Sequence, residues 1–388
     1  MKGIKKRLKK VSYFMTILND DLINFLTNLT PDSDLAKIRQ EREVATENTQ
    51  AAFDTIFSTS STVLPINIQY YFALEVAKLT GSENLANYYL QLLQTQKPIE
   101  FTVDLKLAKE YLQILTLEPK ATNYSLIKNL TQHGWQSADI VLLAQLITFV
   151  TYQARLIEGL LLLLAQNNDE SSSKKVTAGQ WNHQLLTQQG KPSPTEFTQD
   201  NLGWEAWLPA RDASTLSDNE AQVMKKFGQL NSEYFLLLAH HSKILEIRTL
   251  IDRGVFYTSG GLPRWEREFA AAVVSKVNGC IYCASVHARK ASQYEKTRKF
   301  DVDALLATQT GSVLAENFDD RLLALTDLVA SLSTTPIQAS TQQVSTLREL
   351  GLSELELVDL IQSAAFFSWA NRLMLSLGEP FKLIEDKE

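Results

Sequence analysis

The sequence predicts an all-α fold, and three observations carry that prediction. Apolar residues recur at spacings of three and four along most of the chain, the period of a helix face. The apolar runs are long, and no alternating, turn-bounded β-branched segments stand out among them. The 15 glycines and 10 prolines fall mainly between the runs. At ~150 residues per domain, the 388 residues suggest two or three units, with two as the working expectation. Hydrophobic residues at 45% and charged residues at 21% match a soluble globular protein with ample apolar surface to bury.

Residues 1–19 form a basic extension. Lys2, Lys5, Lys6, Arg7, Lys9 and Lys10 crowd its start, so a net charge of −6 leaves about −12 on the rest, which gives a nucleic-acid role no support. The short apolar run "VSYFMTIL" that follows has no small-residue cleavage site of the secretory kind. Residues 20–165 form the first helical unit. Its greasiest stretch, Ile140 to Ala165, reaches spanning length but contains Gln145, Gln153, Arg155 and Glu158. A charge at bilayer depth costs ~3 kcal/mol, so a buried core helix is expected. Residues 166–201 are polar and poor in large aliphatics and read as a linker. Residues 202–388 form the second unit. Two cysteines in such a chain make no disulfide framework, which fits a reducing, cytoplasmic setting.

The two units repeat one another. "LTQHGWQSADIVLLAQLITFVTYQARLIEGL" (130–160) corresponds to "LRELGLSELELVDLIQSAAFFSWANRLMLSL" (347–377) at a shift of 217, which also pairs Pro119 with Pro336 and Arg155 with Arg372. "LPINIQYYFALEVAKLTGS" (64–82) corresponds to "LPRWEREFAAAVVSKVNGC" (262–280) at a shift of 198, so the second copy holds 19 extra residues, near "YEKTRKFDVDALLATQTGS". Positions shared by both copies, such as Arg155 and Arg372, are read as structural, each pairing a carboxylate or capping a helix. Residues found only in the second copy are the candidates for chemistry.

Those residues cluster in "NGCIYCASVHA". "EREFAAAVVSKV" reads as a helix stopped by Asn278-Gly279, with a new helix starting near Cys280. On it Cys280, Cys283 and His287 stand at i, i+3 and i+7 along one stripe. Helix N-terminal N–H groups favour thiolate over thiol. His287, one turn beyond Cys283, is placed to accept its proton. Glu268, on the preceding helix, orients His287 if the two helices pack antiparallel. At the shift of 198 the first copy has Tyr70, Ser82, Leu85 and Tyr89 opposite Glu268, Cys280, Cys283 and His287. Three bland readings stand beside this one: a zinc site, for which only His133, His183, His240 and His241 remain as further nitrogen ligands; two inert core cysteines; and a surface ion pair of Glu268 with Arg264 and Arg267. His240 and His241 read as partly exposed helix residues.

The spacing E-x11-C-x2-C-x3-H, with "GLPRWEREFAAAVVSKVNGCIYCASVHARKAS" and the ending "AAFFSWANRLMLSLGEP", resembles the alkyl hydroperoxidase D / carboxymuconolactone decarboxylase superfamily and its two-domain alkylhydroperoxidase-domain branch. The resemblance implies two fused all-α domains, the first degenerate. It implies Cys283 as the peroxidatic thiol, Cys280 as the resolving thiol, His287 as the base and Glu268 in the proton relay, with no metal or flavin and with a lipoylated or thioredoxin-like protein as reductant. Some members place a histidine between the cysteines; this chain has Tyr282, an auxiliary position that alters any relay running through that histidine. The leading expectation is a thiol-dependent hydroperoxide reductase. A carboxymuconolactone-type decarboxylase or isomerase using Glu268 and His287, and a non-catalytic redox sensor or scaffold, stay open beside it. A homo-oligomer is expected, since a fused pair reproduces a subunit interface.

Overall fold

The computed structural model describes residues 21–100, 102–165, 175–181, 184–314 and 317–383. The basic extension read at 1–19 lies outside them. In the first half the helices are α1 (Leu22–Leu26), α2 (Asp34–Gln40), α3 (Glu43–Ser58), α4 (Ile66–Thr80), α5 (Glu83–Gln94), α6 (Val103–Leu117), α7 (Tyr124–Gln132) and α8 (Ser137–Leu164). The second half opens with strand β1 (Leu202–Ala206), α9 (Asp218–Lys226) and α10 (Glu233–Leu238). It continues with α11 (Ser242–Phe256), α12 (Arg264–Asn278), α13 (Ile281–Tyr294), α14 (Lys299–Ala307), α15 (Asp320–Ser333), α16 (Thr341–Glu349), α17 (Glu354–Leu377) and strand β2 (Gly378–Lys382).

The repeat holds element by element. Helices α4 and α5 begin 198 residues before α12 and α13, while α6, α7 and α8 begin 217 residues before α15, α16 and α17. The change of shift falls where α14 sits, so the extra residues form a helix that the first copy lacks. Gly81 and Gly279 end α4 and α12 with φ of 81° and 75°, the left-handed conformation that lets a helix stop and the next begin at once.

The two copies share one core. Helices α8 and α17 lie so close that a Cβ on Gly159 would come within 2.4 Å of Ile361. Helices α3 and α11 approach likewise, Gly254 against Ala45. Tyr152 and its counterpart Trp369 touch, with ring centres 5.6 Å apart, so the pseudo-twofold axis passes between them. Helix α8 is long and apolar enough to cross a membrane by length and composition, and its whole apolar window is buried inside the protein.

Arg155 and Arg372 cap helices, and each caps the other copy. Fully buried Arg155 donates to the carbonyls of Ser333 and Thr334 at the end of α15 (3.1 and 2.9 Å). Arg372 donates to Leu115 and Thr116 at the end of α6 (3.2 and 3.1 Å). These are equivalent bonds exchanged across the axis, the pattern of an isologous interface. The helix C-termini supply the negative end of each pairing, and no carboxylate pairs with either arginine among the described residues.

The described residues of the stretch read as a linker are laid against the second copy. Ala178 N donates to Ser312 O (2.9 Å) and Gly179 N to Lys276 O (3.0 Å), tying it to the segment after α14 and to the end of α12. Its far end joins β1, which pairs antiparallel with β2 from Leu202↔Lys382 to Ala206↔Gly378. The helical periods gave no sign of this two-stranded ribbon, because its partners are 180 residues apart at one end of the register.

Lys276 fastens the same region. Its amine donates to Leu306 O at 2.6 Å and lies 3.9 Å from the centre of the Phe197 ring. Burial lowers its pKa to about 8, against 10.5 in an unfolded chain. Between those values the unfolded state binds more protons, so stability rises with pH there. Wild type is expected to gain stability relative to Lys276→Met between pH 8 and 10. Urea midpoints across that range read the difference, and a pH-independent difference would exclude the assignment.

Candidate functional site

The site is built at the turn from α12 to α13. Cys280 N donates to Ser275 O (2.8 Å), which closes the turn. Asn278 Nδ2 donates to Asn371 Oδ1 (3.1 Å), and Asn371 Nδ2 donates to Ser275 Oγ (3.0 Å), pinning the turn to α17. The equivalent residues in the first copy are Thr80, Ala154 and Ala77, which cannot form this clamp. From outside, the strap covers the turn, since a Cβ on Gly279 would fall 2.2 Å from Gln180 O.

Cys280 caps α13 and Cys283 lies in its first turn, both buried and both free thiols. Burial, and then the adjacent Cys283 side chain, push the Cys280 thiol well above its ordinary range. The N–H dipoles of Tyr282 and Cys283 pull the other way but do not offset this. The two sulfurs serve different spaces. Cys283 lines a cavity of ≈320 Å³ together with His287. Cys280 lines a separate pocket of ≈50 Å³ under Trp181 and Pro194 of the strap and Pro380 of β2. Half-buried Tyr282 lines both, and burial raises its hydroxyl pKa.

Helices α12 and α13 bring Glu268 to His287, whose Nδ1 lies 2.5 Å from Glu268 Oε2. Nδ1 is thereby committed, and proton traffic at the cavity falls to Nε2. Phe367 packs edge-on against the imidazole, with centroids 4.2 Å apart. Glu268 is fully buried and accepts from Arg264 Nε and NH2 through its other oxygen (3.0 and 2.9 Å). Burial alone would raise this carboxyl; His287, Lys290 and Arg264 together hold it below its ordinary value. Arg264 in turn is stacked between Tyr257 and Tyr294, 3.9 and 4.6 Å from their centres. The surface ion pair considered for Glu268 is therefore a buried one. Arg267 takes no part in it and goes to Asp359 and to the carbonyls of Leu262, Val255 and Gly260.

In the first copy the equivalent space is filled. Tyr89, opposite His287, is buried and donates to Gln153 Oε1 (2.5 Å), and Phe57 stands between Tyr89 and Tyr70 at 5.4 Å from each. Ser82, opposite Cys280, donates to Glu158 (2.6 Å).

The remaining described histidines are elsewhere: His133, His240 and His241 bond the carbonyls of Asn129, Pro209 and Ala138. His183 lies outside the described residues. No group of three or more His, Cys, Asp or Glu side chains able to hold a metal occurs among the described residues. Sequence reasoning missed Arg248, Tyr234, Asp252 and Lys290, which line the Cys283 cavity. The available signal was the pair Arg248 and Asp252, one turn apart within the otherwise apolar face of α11.

No curated protein matches the chain. Among solved structures it is similar to a crystal structure described as an alkylhydroperoxidase AhpD core, an uncharacterized peroxidase-related protein from Ralstonia eutropha JMP134. The two are 23% identical with a TM-score of 0.37, and the match covers 44% of this chain and 88% of that one. Residues 243–308, which hold Glu268, Cys280, Cys283 and His287, match the model of the carboxymuconolactone decarboxylase family.

Proposed function

We propose that the protein is a thiol-dependent hydroperoxide reductase. The observation that carries this reading is the division of labour between the sulfurs: Cys283 shares a cavity with an imidazole that Glu268 orients, whereas Cys280 is kept protonated by burial in a separate pocket. His287 takes the Cys283 proton through Nε2. The thiolate attacks the terminal oxygen of a hydroperoxide, the O–O bond breaks, and the departing alkoxide takes the proton back from His287 to leave as an alcohol. Cys283 is now a sulfenic acid. The Cys280 sulfur then attacks Cys283, its proton leaves with the hydroxyl as water, and a disulfide forms. A protein dithiol of the lipoylated or thioredoxin-like class supplies two electrons to restore the pair. A decarboxylase or isomerase would need only Glu268 and His287 and gives no reason for two sulfurs so placed.

Intact and peptide mass spectrometry before and after one equivalent of cumene hydroperoxide tests the reading. The expected result is quantitative conversion of Cys280 and Cys283 to a disulfide, with one equivalent of alcohol formed. Thiols that stay reduced, or that hold zinc and react only after chelation, would dismiss it.

A further inference from the structure

The Cys283 cavity contains a buried cation whose bonding capacity is not met. Arg248, on α11, is 7% exposed, yet its Nε has no hydrogen-bond partner. Its guanidinium lies 5.1 Å from the centre of Phe366 and 5.9 Å from that of Tyr234. The Tyr234 hydroxyl is likewise buried without a partner. Both side chains line the same cavity as Cys283 and His287. Asp252, one turn along α11, faces that cavity, but burial raises its carboxyl pKa and it forms no ion pair with Arg248 among the described residues. At the repeat spacing the first copy has neutral Gln50 where Arg248 stands.

Leaving a guanidinium donor and a phenol unpaired in a buried wall is costly unless a ligand completes them. A planar fork beside a hydroxyl donor matches a carboxylate. Phe366, Phe367 and Met374 give the cavity an apolar side, the cations Arg253 and Lys290 also reach its lining, and ≈320 Å³ is the small end of the range for small-molecule pockets.

We propose that Arg248, assisted by Tyr234, is an anion anchor, and that the substrate is a compact organic hydroperoxide bearing a carboxylate. The carboxylate sits on Arg248, the apolar body lies against Phe366 and Phe367, and the hydroperoxyl group is directed at Cys283. The word substrate rests on the reductase reading above; the binding itself does not.

Calorimetry on the full chain with 4-isopropylbenzoate and its neutral isostere 4-isopropylbenzamide tests the anchor without any turnover. Wild type is expected to bind the anion at least ~10-fold more tightly, as hydrogen bonds to a charged partner provide. Arg248→Met is expected to erase that preference and Arg248→Lys to keep part of it. Should Arg248→Met fail to fold, wild type still decides: the benzoate, not the benzamide, is expected to slow alkylation of Cys283 by iodoacetamide. Equal binding of the two probes, equal protection, or a preference that survives Arg248→Met would overturn the proposal. Anion preference without peroxide consumption would keep the anchor and sink the reductase; peroxide consumption without anion preference would do the reverse.

Discussion

Cys283→Ser is expected to lower organic hydroperoxide consumption by at least ~10³-fold with the fold intact, because serine fills the same buried position but offers no nucleophile near neutral pH. Cys280→Ser should behave differently. Its Cys283 still faces the cavity and His287, so one equivalent of peroxide is consumed and the sulfenic acid then persists, open to trapping by dimedone. The contrast between a dead variant and a single-turnover variant is the informative result. If Cys283→Ser retained the burst and Cys280→Ser lost it, the two sulfurs would exchange roles, and the protonation argument for Cys280 would fail.

Arg372→Met should destabilise the protein by about 3–5 kcal/mol, the range for breaking a buried charged network. The methionine replaces the stem but leaves the Leu115 and Thr116 carbonyls at the end of α6 in the core without the guanidinium donor. Arg155→Met should cost a similar amount for the same reason. The double variant should cost more than the sum, because each single variant already relieves the repulsion between the two cations and still leaves one arginine on the Thr335 hydroxyl. Urea unfolding of the four proteins closes the cycle. Single variants within about 1 kcal/mol of wild type would show that the guanidinium bonds contribute little.

The parts of the fold legible in the sequence were those written locally or twice. The repeat shifts located five helix pairs because each copy states the same periodicity. Gly279 and the spacing of Cys280, Cys283 and His287 placed these residues on the first two turns of one helix because helix geometry is short-range, although Cys280 faces a different pocket from the other two. The antiparallel packing that joins Glu268 to His287 stood in the sequence only as a condition, which the contact of His287 Nδ1 with Glu268 Oε2 meets. What escaped was long-range. Nothing near Arg155 or Arg372 says that each reaches the opposite copy. The polarity of residues 166–201 hid a strap that closes over Cys280 through backbone bonds, which composition does not encode. Arg248 and Tyr234 acquire meaning only once α10, α11 and α17 enclose a common space.

With Phe57, Tyr70 and Tyr89 packed into the first half, the two cysteines and the Glu268–His287 pair all belong to the second. Identical subunits must write every substitution twice, so neither could surrender its reactive face without the other doing the same. Joining the halves into one chain lifts that constraint: one half becomes hydrocarbon ballast that braces its twin, and the twin alone keeps the sulfurs and the imidazole.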